Sequence, residues 1–210
     1  MMDIGHLSAF EGCYIMQRED IARFAGTLAD GFSNYDLFKY ACNWKYDHHK
    51  MATFWAVTIA ANYNGSICIA DSKEANSVLV YIRPESKEPG ILDYLKAGGI
   101  KIPITLGLRT AIKLLQFESY AQKIAKKYRT DKDGYLLAFA TRQDKQGQNF
   151  GKPLIEALMR YLRLSGEGCY LETLKKENVD LYRHFSFELM EHTSAKSGNL
   201  TLYAMKTKKS

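Results

Sequence analysis

The chain has 210 residues, 46% hydrophobic and 12% aromatic, with 29 bases against 23 acids and a net charge of +6. That balance excludes collagen-like, low-complexity and disordered chains, which lack the apolar surface to offset chain entropy. No apolar run reaches the length of a membrane span. A single domain over 1–210 is expected. The opening MMDIGHLSAFEGC carries no basic leader region, so a cytoplasmic protein is expected. The excess of base favours an anionic partner, whether nucleic acid, a membrane surface or a phosphorylated cofactor. Bases gather at Lys123, Lys126, Lys127 and Arg129, and in a short basic tail over 206–210. Cys13, Cys42, Cys68 and Cys169 form no CxxC pair and read as reduced, mostly buried thiols.

In chain order, residues 12–16 (GCYIM) suggest a short strand. Ile21, Phe24, Ala25, Leu28 and Phe32 recur at helical spacing, and Gly31 with the SNYD run divides Arg18–Asn43 into two helices and a turn. The run 50–62 fits helix or strand equally. His48 and His49 precede it in what reads as a loop. Adjacent histidines point apart and no third ligand is suitably spaced, so no metal is expected. Asn64-Gly65 is a turn signal ahead of the strands 66–70 (SICIA) and 77–82 (SVLVYI).

A polar segment runs from Pro84 to Pro103. A helix then extends to about Tyr128, with Ile104, Leu108, Ala111, Ile112 and Leu115 on its apolar face. After a turn at Asp131–Gly134, residues 135–141 form a strand and a polar loop follows. In the next helix Leu154, Ile155, Leu158, Met159 and Leu162 mark the buried face, while Glu156, Arg160 and Arg163 face water. Pro153 sits in its first turn, where a missing N–H costs nothing. The strand CYLET (169–173), a short helix around VDLYRHF, and the strands FELMEH and NLTLYAMK complete an α/β domain with a mixed sheet.

The segment from Tyr135 to Leu164 runs strand, loop, helix. A helix start offers free N–H groups and the positive end of the helix dipole, and glycines let backbone approach a ligand, so this order suits a phosphate. The loop Gln146-Gly147-Gln148-Asn149-Phe150-Gly151-Lys152 is neither a P-loop nor a dinucleotide fingerprint. It matches Gln/Arg-x-x-Gly-x-Gly/Ala with Asn149 in the middle glycine position, and so resembles the acetyl-CoA motif of the GNAT N-acetyltransferase superfamily. Asn tolerates left-handed backbone, which preserves the loop's shape. Downstream, Cys169–Thr173 followed by Asn178, Tyr182, Phe185 and Phe187 is similar to the family's strand, Asn, Tyr and Gly-Phe ending, with Ser186 replacing the glycine. SVLVYIRPES resembles its third strand.

The resemblance, specific over 135–190, implies a GNAT-like fold: a mixed, mostly antiparallel sheet flanked by helices, with an acetyl-CoA-binding core at about 134–192. It implies an acyltransferase moving acetyl from acetyl-CoA to a primary amine by direct transfer in a ternary complex. Phe139, Ala140 and Thr141 would offer backbone to the pantetheine arm. The loop Gln146, Gly147, Gln148, Asn149, Phe150, Gly151 and Lys152 would hold the pyrophosphate. Asn178 is either a helix N-cap or a pantetheine contact. Tyr182, one turn on, is either a buried aromatic or the phenol that protonates the leaving thiolate. Glu118, Glu172 and Asp71 are candidate bases, none of them singled out, and a water chain is the alternative. The acceptor, a small-molecule or peptide amine, would meet the first two helices and the 84–103 segment, where Tyr35, Phe38, Tyr40, Trp44 and Tyr46 cluster. A monomer or homodimer is expected, without membrane, metal or nucleic acid. A non-catalytic CoA-binding or sensor domain of the same fold is the alternative.

Overall fold

The computed structural model describes residues 8–195 and 198–208. The first seven residues and Lys209 of the expected tail lie outside them. The strands are β1 (Tyr14–Ile15), β2 (Ser66–Ala70), β3 (Ser77–Ile82), β4 (Asp133–Thr141), β5 (Gly168–Thr173), β6 (Phe187–Ala195) and β7 (Leu200–Thr207). They form a seven-stranded sheet in the order β1-β2-β3-β4-β5-β7-β6. β4 and β5 run parallel and the other neighbours antiparallel. This is the mixed, mostly antiparallel sheet that was expected. Central β2 and β3 read as continuous apolar runs because both of their faces are covered.

The helices are α1 (Ile21–Gly31), α2 (Asp36–Ala41), α3 (His48–Asn62), α4 (Ile91–Lys96), α5 (Lys101–Leu106), α6 (Leu108–Tyr128), α7 (Lys152–Ser165) and α8 (Lys176–His184). On one face of the sheet α7 places Leu154, Ile155, Leu158 and Leu162, with Tyr161, against Ile67, Ile69, Leu79 and Tyr81; Val179 and Tyr182 of α8 join the same core. On the other face α1 and α3 cover Cys68, Ala70, Val78 and Val80, while α6 covers Tyr170, Leu202 and Ala204. Pro153 stands in the first turn of α7, and Gly166, at φ 69°, closes that helix in the left-handed conformation glycine favours.

The ambiguous run 50–62 is helical. Met51, Trp55 and Ile59 recur every four residues on its buried side, and the Asp47 side chain caps it by accepting from the Lys50 N–H at 3.1 Å. His48 and His49 therefore open a helix instead of lying in a loop. Among the described residues no His, Cys, Asp and Glu group could hold a metal ion. The 84–103 segment forms α4 and the start of α5.

The expected 104–128 helix is corrected in two respects. Gly107, at φ 85°, divides α5 from α6. Of the face expected to be buried only Ala111 is; Ile104, Leu108, Ile112 and Leu115 are exposed. α6 is apolar on two sides. The side carrying Ala111, Leu114, Ala121 and Ile124 is the buried one. Lys206 belongs to β7 instead of a tail: it is buried, 2.6 Å from Asp133.

Candidate active site

β4 and β5 pair over only three positions, Asp133 with Gly168, Gly134 with Cys169 and Tyr135 with Tyr170. Beyond them β4 stays with β3 as far as Thr141, and β5 with β7 as far as Thr173. A bulge in β4 at Leu137, where Tyr81 pairs with Leu136 and Val80 with Ala138, bends the strand at the point of separation. The facing edges of Leu136–Thr141 and Leu171–Thr173 therefore diverge into a wedge at the carboxyl ends of the strands. Open α/β sheets bind ligands at such ends. Phe139, Ala140 and Thr141 lie on one wall.

The loop 142–151 forms one rim. Gly147 and Asn149 are left-handed, at φ 75° and 65°, so Asn149 does keep the turn its position requires. Gly151 packs closely on β4: an added Cβ would come within 2.9 Å of the Phe139 ring and 3.3 Å of Thr141 Oγ1. The Gln146 side chain donates to the Thr141 carbonyl at 3.1 Å and the Gln148 side chain to that of Asp144 at 2.9 Å, so both brace the loop. Gln143 is anchored to α1, its N–H 2.6 Å from Asp30 Oδ2. Among the described residues the N–H groups of Gly147 to Gly151 donate to no backbone carbonyl. They lie at the positive end of the 14-residue α7 with Lys152 beside them, an arrangement whose charge suits an anion.

The second rim gathers at Thr173. Asn178 Nδ2 donates to Thr173 Oγ1 at 3.0 Å, and the Leu174 N–H donates to the Tyr35 hydroxyl at 2.7 Å, itself 3.4 Å from Thr173 Oγ1. Lys175 is the N-cap of α8, so Asn178 is not. Tyr182 has its ring buried against Phe187 at 5.5 Å, and its hydroxyl makes no hydrogen bond among the described residues. Burial, with Tyr35 and Cys169 nearby, pushes that phenol well above its usual value, so it carries its proton at neutral pH.

On the opposite face of the wedge, under α6, Glu172 is the one charged residue of β5. Burial pushes its carboxyl up to about 7, against the pull of the Tyr135 and Tyr170 hydroxyls that face it; Glu118 adds to the rise and Arg129 opposes it. The Tyr170 hydroxyl is buried and meets no partner at full hydrogen-bond geometry among the described residues. Asp71, by contrast, is committed to the β2–β3 turn, accepting from the Ser77 N–H at 2.7 Å. Glu118 accepts from Gln122 one turn along α6. The geometry thus separates three candidate carboxylates that the sequence left equal. It also adds Tyr35, whose only signal was its place in an aromatic-rich stretch. For Glu172 the signal was a lone charge at an inward position of CYLET.

No family model matches the chain, and no curated protein matches it. Solved structures do share its fold. A histone acetyltransferase HPA2 and related acetyltransferase from Corynebacterium glutamicum is 17% identical with a TM-score of 0.64, covering 94% of this chain and 96% of that one. The C-terminal condensation domain of Ebony, in complex with beta-alanyl-dopamine, is 8% identical with a TM-score of 0.62, covering 93% and 97%. Arylalkylamine N-acetyltransferase 2 from Aedes aegypti is 11% identical with a TM-score of 0.61, covering 94% and 98%.

Proposed function

We propose that this chain, whose fold is that of the GNAT N-acetyltransferases, transfers an acetyl group from acetyl-CoA to a primary amine by direct transfer in a ternary complex. The observation that carries the reading is the wedge between β4 and β5, with the left-handed 147–151 loop on one rim and the Thr173, Asn178 and Tyr35 cluster on the other. The whole chain acts as one N-acetyltransferase-like domain, with its donor-binding core at about 134–192. The unpaired edge of Phe139–Thr141 takes the pantetheine arm as an added strand would be taken. The amides of Gly147–Gly151 and Lys152 take the pyrophosphate, and Asn178 orders the opposite rim through Thr173. Acetyl-CoA supplies an activated thioester.

Glu172, facing the wedge from the α6 side, takes the proton that the acceptor nitrogen loses. Tyr182 supplies the proton that the departing thiolate gains, so the transfer balances with one proton accepted and one given. The acceptor enters on the α6 side. An amine acceptor is supported by the arylalkylamine N-acetyltransferase among the structures of similar fold.

The test is calorimetric titration with acetyl-CoA beside turnover against a panel of primary amines. Wild-type protein is expected to bind and turn over. Lys152→Glu, exposed beside that loop, should weaken binding by about tenfold, the equivalent of ~1.4 kcal/mol, with the fold intact. Unchanged affinity in that variant would remove the proposed donor site. Binding without turnover of any amine would make the chain a CoA-binding or sensor module.

A further inference from the structure

The most anomalous surface of the molecule lies on α4, α5 and α6, away from the wedge rims. Leu108, Ile112 and Leu115 form one stripe along α6, which Ile104 continues beyond the Gly107 break. Ile91 and Leu92 are likewise exposed, on α4. Exposure of these side chains runs from 45% at Ile112 to 81% at Ile91. Monomers seldom display so many large aliphatic groups together, and such a face marks an interaction site.

Its charge says what kind. From Ile91 to Phe117 the chain carries four bases, Lys96, Lys101, Arg109 and Lys113, and one acid, Asp93. Asp93 is committed to capping α4, accepting from the Gly90 N–H at 2.9 Å. Among the described residues none of Lys96, Lys101 and Arg109 has an ion-pair partner. A second copy of the chain would set these bases against one another, whereas an anionic surface would neutralise them.

Beside α6, Asn43 and Trp44 are both left-handed, at φ 50° and 62°, in a turn tied to the helix by Lys113 Nζ, 2.6 Å from Asn43 Oδ1. That turn holds Trp44 76% exposed. An aliphatic stripe with flanking bases has the composition of an interfacial anchor, and Trp44 stands exposed on the neighbouring turn.

The geometry points to peripheral docking of the α4–α6 face on an anionic lipid surface, with the aliphatic stripe inserted and Lys96, Lys101 and Arg109 at the headgroups. Among the described residues no helix is long and apolar enough to cross a membrane, so the contact is one of lying on the bilayer.

The test is co-sedimentation with phosphatidylcholine vesicles made with and without phosphatidylserine, read beside tryptophan emission and light scattering. Wild-type protein should bind the phosphatidylserine vesicles, weaken as salt rises, and shift its emission to the blue. Leu108→Ser with Ile112→Ser should lower partitioning roughly tenfold or more. Lys101→Glu with Arg109→Glu should remove the dependence on phosphatidylserine. All these positions are exposed, and unchanged thermal melting verifies the fold. Absence of vesicle binding overturns the proposal. So does a dimer in light scattering that the serine substitutions dissolve, for the face would then belong to a second copy.

Discussion

Glu172 acquires its character from neighbours that no local pattern reveals. In CYLET it is one acid at the end of a strand; in the fold it sits under α6 with Tyr135 and Tyr170 turned toward it, its carboxyl raised to about 7. A base must be deprotonated to work, so kcat should rise with pH through about 7 and level off above it. Glu172→Gln should remove that rise and slow turnover by about a hundred- to ten-thousand-fold. Tyr182→Phe should slow turnover while leaving the rise in place. Steady-state release of CoA thiol across pH 5.5–9, a range set by the ~pH 7 inflection, distinguishes the two. A wild-type pH profile in Glu172→Gln would assign the proton to water. Asn149 was more legible, because a left-handed loop position depends on local backbone alone, and its φ of 65° follows from residue type. Ser186 takes the same conformation at φ 64°, so the turn before β6 keeps its glycine-like shape without glycine.

Among the elements, the strands at 66–70 and 77–82 were readable to the residue, since a turn signal and short β-branched runs leave few alternatives. α6 was not. Periodicity finds an apolar stripe but cannot say which of two stripes meets the sheet, and the one with Leu108, Ile112 and Leu115 proved to be outward. Nor does sequence disclose that β4 and β7 are locked to the last turn of α6 by a buried ion pair. Asp133 Oδ2 lies 2.6 Å from Lys206 Nζ, which also donates to the Tyr128 carbonyl at 3.2 Å.

Burial alone would raise the Asp133 carboxyl, but Lys206 and the Thr130 hydroxyl and N–H together hold it below its ordinary value. A group lowered on folding contributes stability that is complete above the ordinary carboxylate range and is lost as pH falls through the lowered value. The contribution of this pair should therefore fade below about pH 4. Lys206→Met leaves a buried carboxylate without its cation and should cost about 3–5 kcal/mol at neutral pH. Urea midpoints at pH 7 and pH 3 should show the gap between variant and wild type closing in acid. A constant gap would mean that the lost packing of the lysine stem is responsible.

At the scale of the whole molecule, the sheet consists of a four-stranded antiparallel half, β1 to β4, and a three-stranded half, β5 to β7, joined edge to edge by three residue pairs and, at their closed end, by the Asp133–Lys206 ion pair. Each half holds longer ladders within itself than the two share. The parting of β4 from β5 is thus also a fracture line. Sub-global opening should begin there, with the two halves behaving as separate cooperative units. Amide exchange in deuterium oxide should register β4 and β5 near the seam as less protected than β3 and β7. A molecule lying across the parting would act as a clasp: its strongest effect on exchange would fall at the seam and spread into both halves, so that occupancy stiffens the sheet as a whole. Uniform protection across β3, β4, β5 and β7 without ligand would mean that α7, crossing from one half to the other, already holds them together.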